Sequence, residues 1–293
     1  MHPILFKIPG VDFPIRSFGL MLALGFLLGS WILTKLVVRF SDKPKEDAAR
    51  YAALPVWLLC GIVIGARLLY VVVEISKGSE TGKSYIDNPL LVFAVWQGGL
   101  VMFGGLFGAI VAGAWCCAKH KIPFKHALDL GLTAGFFGQA VGRVGCLLVG
   151  DDYGSVVPEK WQHMPFSLLQ IHVPNPLPQS DSYPGASLFG AENAGQVLWA
   201  TQPMMSIKAL IVASIALWLL PRRRYEGQVA LVALLTYSTL RFGIEFLRGD
   251  AVRGVWFDGA ISTSQLIAIA AASVSLALLI KNRARRDAPL SAS

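Results

Sequence analysis

Gly142-Arg143-Val144-Gly145-Cys146-Leu147-Leu148-Val149-Gly150-Asp151-Asp152-Tyr153-Gly154 closes an apolar run that begins near Ala127. A helix over 127–149 is long enough to cross a hydrocarbon core of about 30 Å. Arg143 lies inside that run. A guanidinium there is costly, so it marks a functional site unless it reaches the headgroups from the helix end.

The rest of the chain has the same character. Hydrophobic residues make up 54% of its 293 positions, charged residues only 15%, and the mean hydropathy is +0.56. A soluble domain of this length would need more polar surface, so the chain reads as an all-α integral membrane protein. Seven spans are expected, at about 17–38, 52–76, 98–118, 127–149, 204–220, 227–247 and 262–280. Each has the length that a bilayer requires. The whole of 1–293 forms one transmembrane domain, interrupted only by the 150–203 connection.

The net charge of +8 points to membrane topology rather than nucleic acid, because the basic residues fall in short clusters between spans. Arg39, Lys43, Lys45 and Arg50 follow the first span, and Lys119, Lys121 and Lys125 follow the third. Arg222 to Arg224 follow the fifth, and Lys281, Arg283, Arg285 and Arg286 follow the seventh. These segments are read as cytoplasmic, with the N-terminus outside and the C-terminus inside. The 150–203 connection is then a small external domain between helices four and five, holding Asp151, Asp152, Glu159, Asp181 and Glu192. Its prolines favour irregular or short-strand structure, and Trp161, Phe166, Leu168, Leu169 and Phe189 favour partial order. Met1 to Arg16 lacks the basic region of a cleaved signal peptide.

Glycines 131, 135, 138, 142 and 145 line one face of span four, and Gly104 and Gly108 recur in span three. Such seams are read as helix packing in lipid. Cys60, Cys116, Cys117 and Cys146 all fall in apolar runs and form no disulfide framework. No His, Cys or carboxylate cluster has metal-ligand spacing, and no cofactor motif is present.

Charge identifies the site. Arg67, Arg143 and Arg241 lie in spans two, four and six, about 15, 16 and 14 residues from their inner ends. At about 1.5 Å per residue, all three reach the outer half of the bilayer. Cations at one depth repel one another unless anions pair with them or an anionic ligand joins them. Glu245 shares a helical face with Arg241 and Arg248 and can bridge both. Arg67 shares a face with Tyr70 and Glu74, and Arg143 has Asp151 beyond its helix end. The surplus of arginine suits a phosphate, which its planar fork binds through two oxygens.

These motifs resemble the bacterial prolipoprotein diacylglyceryl transferases over essentially the whole chain. The resemblance rests on Gly142-Arg143-Val144-Gly145 through Gly154, Phe18 to Met21, Gly65 to Tyr70 and Trp96-Gln97-Gly98-Gly99 with Gly104-Gly105-Leu106. Tyr237 to Arg241 and Glu245-Phe246-Leu247-Arg248 complete it. It implies a multi-pass enzyme of the bacterial inner membrane, acting as a monomer without a cofactor. The enzyme would move diacylglycerol from phosphatidylglycerol to the lipobox cysteine of a prolipoprotein signal peptide, giving a thioether and glycerol phosphate.

The resemblance assigns catalysis to Arg143, Arg241 and Glu245. It assigns phospholipid contacts to Arg67, Arg143, Gly154, Asp151, Arg248, Tyr70, Cys146 and Phe103. Asp151 stands where the family commonly has glutamate, Cys146 where it often has asparagine, and Phe18 where it typically has tyrosine. Phe103 stands where some members have a histidine proposed as the base, and Gln202 to Ser206 replaces a His-Pro-Ser-Gln-type segment. A non-catalytic or altered-specificity paralogue that binds anionic phospholipid is the alternative. Transport of lipid or anion fits less well, because no repeat is visible and the charges lie toward one side.

Overall fold

A computed structural model describes residues 4–8, 13–41, 43–95, 98–162, 169–175, 191–249, 254–256 and 261–287. Trp96, Gln97, His163, Phe166, Leu168, Asp181 and Phe189 lie outside the described residues. The chain divides into two compact units, one of residues 1–33 with 128–293 and one of residues 34–127.

The larger unit begins with a hairpin, β1 (Ile4–Ile8) and β2 (Phe13–Arg16), that leads into α1 (Ser17–Phe40). It takes α1 as far as Leu33 and α6 (Phe124–Val149) from Leu128 onward. In the smaller unit, α2 (Pro44–Tyr51) runs into α3 (Leu54–Ser76), followed by α4 (Glu80–Asp87) and α5 (Met102–Lys119). The larger unit continues with α7 (Glu159–Gln162), β3 (Gln170–His172), β4 (Val197–Trp199), α8 (Thr201–Leu219) and α9 (Gln228–Glu245). It ends with β5 (Val255–Trp256), β6 (Ile261–Ser262) and α10 (Thr263–Asp287).

Among the described residues, six helical stretches are long and apolar enough to cross a membrane by length and composition: Ser17–Phe40, Pro44–Ser76, Met102–Lys119, Phe124–Val149, Thr201–Arg222 and Thr263–Arg283. Large apolar side chains stand more than half exposed on them, as at Leu27, Val56, Ile64 and Trp218. That outer surface suits hydrocarbon rather than water. Helices occupy all seven stretches expected to span. The sixth, α9, is not among the six because Gln228, Arg241, Glu245 and a run of hydroxyl residues dilute its apolar character.

Glycine contacts are more selective than the spacing suggests. In the smaller unit α3 packs on α5 through Gly61, Gly65, Gly104 and Gly108, and a β-carbon on Gly65 would lie 2.9 Å from the Gly108 Cα. In α6, Gly138 packs against Gly25, and Gly145 against Phe18 and Met21. Among the described residues, a β-carbon on Gly131, Gly135 or Gly142 would meet nothing within 4 Å, so the five do not form one packed seam.

Two polar anchors fix the helices that carry the site. Buried Asp129 near the start of α6 accepts from the Gly227 and Ala230 amides, each at 2.9 Å, and from Arg223 Nη1 at 3.3 Å. It thereby caps the N-terminus of α9, where four amide groups lack intrahelical partners. Ser206 Oγ of α8 donates to the Ala140 carbonyl of α6 at 2.7 Å.

Candidate functional site

Arg143 lies near the end of α6, and the local backbone explains how it is held. The helix stops at Gly150, whose φ of 88° is the left-handed geometry of a helix C-cap. The Gly150 and Asp151 amides donate back to the Cys146 carbonyl at 2.8 and 3.1 Å. Asp152 also adopts a positive φ, 56°, a region that aspartate tolerates better than most residues. This reversal turns its carboxylate back to the helix. Arg143 Nη1 donates to Asp152 Oδ2, and Arg248 Nη2 donates to Asp152 Oδ1 at 2.6 Å.

The same turn is held from α8. Thr201 Oγ1 donates to the Asp152 carbonyl, and Gln202 Nε2 donates to the Asp151 carbonyl at 2.6 Å. Both side chains are buried. The Asp151 side chain is turned elsewhere and accepts from the Asp152 amide at 2.8 Å. Burial opposes ionisation of the Asp152 carboxyl, yet the guanidiniums of Arg248 and Arg143 outweigh it and hold the group below the usual carboxylate range.

Gly154 serves the backbone around this turn. Its amide donates to the Trp199 carbonyl at 2.8 Å, and it pairs with Arg248 as an isolated antiparallel bridge. A β-carbon there would lie 2.6 Å from the carbonyl oxygens of both Leu247 and Trp199, so only glycine fits without displacement. Next to it, β3 and β4 form a two-stranded antiparallel sheet. Ile171, Val173, Leu198 and Ala200 make a small core there, packed against Leu147 and Tyr153.

Arg241 is held locally. It forms an ion pair with Glu245 one turn on, and its Nη2 donates to Ser264 Oγ of α10 at 3.3 Å. Glu245 is 1% exposed and Arg241 9%. The expected bridge from Glu245 to Arg248 along one helical face does not describe Arg248. The helix ends at Glu245, and Arg248 departs from its face to reach Asp152.

Cys146 is buried beside Arg143, whose Nη1 donates to its Sγ at 3.8 Å. A second buried cation joins this group. Lys208 of α8 places its Nζ 3.7 Å from the centroid of the Tyr237 ring, within Coulombic reach of Arg241 and Arg143. Tyr237 also stacks against Phe136 of α6 at 5.3 Å.

Arg67, Tyr70 and Phe103 belong to the smaller unit. Arg67 is 3% exposed and its guanidinium is taken up by backbone carbonyls. Nε donates to Val92 at 2.9 Å, Nη1 to Gly98 at 2.7 Å and Gly99 at 3.4 Å, and Nη2 to Leu91 at 2.8 Å. The rings of Tyr70 and Tyr85 flank it at 5.7 and 5.3 Å. Phe103, in the first turn of α5, is partly exposed.

Two residues escape a reading of the sequence alone. Asp152 rather than Asp151 serves Arg143, a choice set by the left-handed turn that follows Gly150. Lys208 is a lone cation inside an apolar stretch, the same signal that marks the arginines.

The arrangement is a group of buried and part-buried arginines paired with Asp152 and Glu245, suited to an anion. A family model described as prolipoprotein diacylglyceryl transferase matches residues 3–281. A phosphatidylglycerol–prolipoprotein diacylglyceryl transferase of Stenotrophomonas maltophilia (strain R551-3) is 29% identical over 276 residues, 92% of this chain and 88% of that protein. The protein so named in Vibrio parahaemolyticus serotype O3:K6 is 29% identical over 274 residues, 92% of this chain and 86% of its own length. The one in Pseudomonas aeruginosa (strain LESB58) is 29% identical over 278 residues, covering 94% and 91%. This chain belongs to the prolipoprotein diacylglyceryl transferase family.

Proposed function

We propose that the protein is a transferase of the bacterial inner membrane that moves diacylglycerol from phosphatidylglycerol to the lipobox cysteine of a prolipoprotein. Acting as a single chain, it crosses the bilayer seven times with α9 as the sixth span, its N-terminus outside and its C-terminus in the cytoplasm. The 150–203 segment is then external. The observation that carries this reading is the part-buried cluster in which Arg143 and Arg248 share Asp152 while Arg241 pairs with Glu245. Three guanidiniums gathered in one group suit a phosphodiester.

The thiol sulfur attacks the glyceryl carbon bonded to the phosphate oxygen. A carbon–sulfur bond forms, the carbon–oxygen bond breaks, and glycerol phosphate leaves carrying the electron pair. The thiol proton passes to water, and the phosphate leaves as a monoester that is mostly the dianion at neutral pH. A free thiol with a pKa of about 8.5 is mostly protonated at neutral pH, and nearby guanidiniums favour its thiolate. Arg143 and Arg241 hold the phosphate and stabilise the charge that develops on it. Glu245 orients Arg241, and Asp152 with Arg248 orients Arg143. Arg67 braces its own loop through the carbonyls it engages, and Gly154 allows the close backbone approach at the turn.

A second reading, a paralogue of altered specificity that binds anionic phospholipid, rests on Cys146. A weak thiol acceptor touches Arg143 where the family often has an amide. Complementation of a bacterium depleted of its own transferase separates the two. Rescue by the wild-type chain is expected, with loss of rescue in Arg143→Ala and in Arg241→Ala. Survival on both variants removes the phosphate clamp, and failure of a correctly inserted wild-type chain favours the paralogue.

A further inference from the structure

We infer that Lys208 is a phosphate-binding residue of this same site, an inference that rests on the anion-binding reading above. Lys208 is only 3% exposed and is the one charged residue of α8. Among the described residues no carboxylate lies within ion-pair distance of it. It faces instead the Tyr237 ring at 3.7 Å, with the guanidiniums of Arg241 and Arg143 within Coulombic reach. Those guanidiniums engage acids of their own, Arg241 with Glu245, and Arg143, together with Arg248, with Asp152.

A buried ammonium among other cations is unfavourable unless something negative joins it. The ring face offsets part of that cost, about 2 kcal/mol at most when desolvated. The guanidiniums of Arg143, Arg241 and Arg248 engage Asp152 and Glu245, and Lys208 brings one further basic group to them. A phosphodiester brings a single negative charge. A phosphomonoester, with its second pKa near 6, carries about −1.5 to −2 at neutral pH. A cation beyond the arginine pair therefore favours the leaving group over the lipid from which it comes, which is the differential binding that accelerates a reaction. The ammonium is a compact charge with three donors, and it can take a phosphate oxygen that two planar guanidiniums leave uncovered.

The test uses the full-length protein in nanodiscs. Binding of phosphatidylglycerol, with phosphatidylcholine as control, is measured for the wild type, Lys208→Met and Lys208→Arg, alongside transfer to a lipobox peptide. Inorganic phosphate and glycerol phosphate are titrated as competitors to tell a lipid headgroup from a free phosphate. Lys208→Met is expected to weaken phosphatidylglycerol binding about ten-fold, as loss of a charged hydrogen bond does, and to lower kcat as well. Lys208→Arg, which keeps the charge, is expected to restore most of both.

Unchanged binding and kcat in folded Lys208→Met overturns the inference. So does a folded Lys208→Arg as impaired as Lys208→Met, which would assign the amine another task. Lysine-dependent binding without any transfer by the wild type sinks the transferase reading and leaves the phosphate site standing. Should Lys208→Met fail to insert, the wild-type chain decides. In phosphatidylglycerol bilayers, a 15N–31P dipolar coupling between lysine Nζ and phosphorus that is seen in the wild type and absent from Lys208→Arg supports the site. A wild-type spectrum without that coupling overturns it.

Discussion

Replacing Asp152 by asparagine should damage the protein far more than the same change one residue earlier. Asp152 accepts from Arg143 and from Arg248, and the three side chains are 28%, 19% and 12% exposed. Breaking a fully buried ion pair costs about 3–5 kcal/mol, whereas an exposed one contributes about 1 kcal/mol or less. Partial burial and the amide oxygen that asparagine retains put the loss at about 2 kcal/mol. In transition-state terms that is about thirty-fold in kcat/KM if Arg143 loses its orientation.

Asp151→Asn keeps the side-chain oxygen that accepts from the Asp152 amide, so its effect should stay within about 0.5 kcal/mol. The two variants are compared by thermal unfolding in one detergent and by transfer from phosphatidylglycerol to a lipobox peptide. The sign of the pH dependence gives a further check. Because the Asp152 carboxyl is held below its usual range, its stabilisation is fully present above about pH 4. It is lost as pH falls through the lowered folded-state value. Wild type should therefore lose stability on acidification relative to Asp152→Asn, which lacks that titration. Equal damage from the two substitutions, or an Asp152→Asn chain with wild-type melting and rate, would refute the assignment.

Two further substitutions test the supports of the site. Gly154→Ala should destabilise the folded chain by about 1–3 kcal/mol, since its β-carbon would press on the Leu247 and Trp199 carbonyls; thermal unfolding in detergent reads this, and kcat/KM should fall with it because Arg248 follows Leu247. Asp129→Ala should cost about 3 kcal/mol by stripping the buried Gly227 and Ala230 amides of their acceptor, while Asp129→Asn should lose less. Its check is the unfolding midpoint of the two variants side by side.

Helix positions were legible because hydrocarbon imposes a length, and the apolar runs announce it. The expected and observed boundaries of the fourth helix, 127–149 against Phe124–Val149, differ by three residues at one end. The sixth expected span, α9, was harder to read because the residues proposed for the site also make it polar. Arg241 and Glu245 were readable as a pair, since an i,i+4 spacing within one helix needs no tertiary knowledge. The partner of Arg143 was not readable. Choosing between Asp151 and Asp152 depends on two departures from ordinary backbone geometry, at Gly150 and Asp152, and on the anchoring of that turn by Thr201 and Gln202 from far along the chain. Arg67 shows the same limit: its depth in common with other arginines suggested a shared ligand, whereas backbone carbonyls of a distant loop take its donors.

On the proposed reading, the two catalytic arginines are restrained in different ways, and the difference bears on how a phosphate enters. Arg241 is tied to Glu245, its neighbour one helical turn on, and that carboxylate is almost wholly buried. Asp152 is more exposed and divides its two oxygens between Arg143 and Arg248. A phosphate that takes Arg143 from Asp152 leaves the carboxylate still neutralised by Arg248, so the exchange costs one charged hydrogen bond and strands no charge. Without Arg248 the same exchange would leave a half-buried carboxylate without its remaining cation, a cost of about 1–3 kcal/mol. Arg248→Ala should therefore raise KM for phosphatidylglycerol about ten-fold, with a smaller change in kcat. Arg248→Lys, which keeps a cation on Asp152, should recover much of that loss. If Arg248→Ala instead lowered kcat at unchanged KM, Arg248 would be acting on the reacting phosphate itself, and the role of Asp152 as an exchangeable partner would fall.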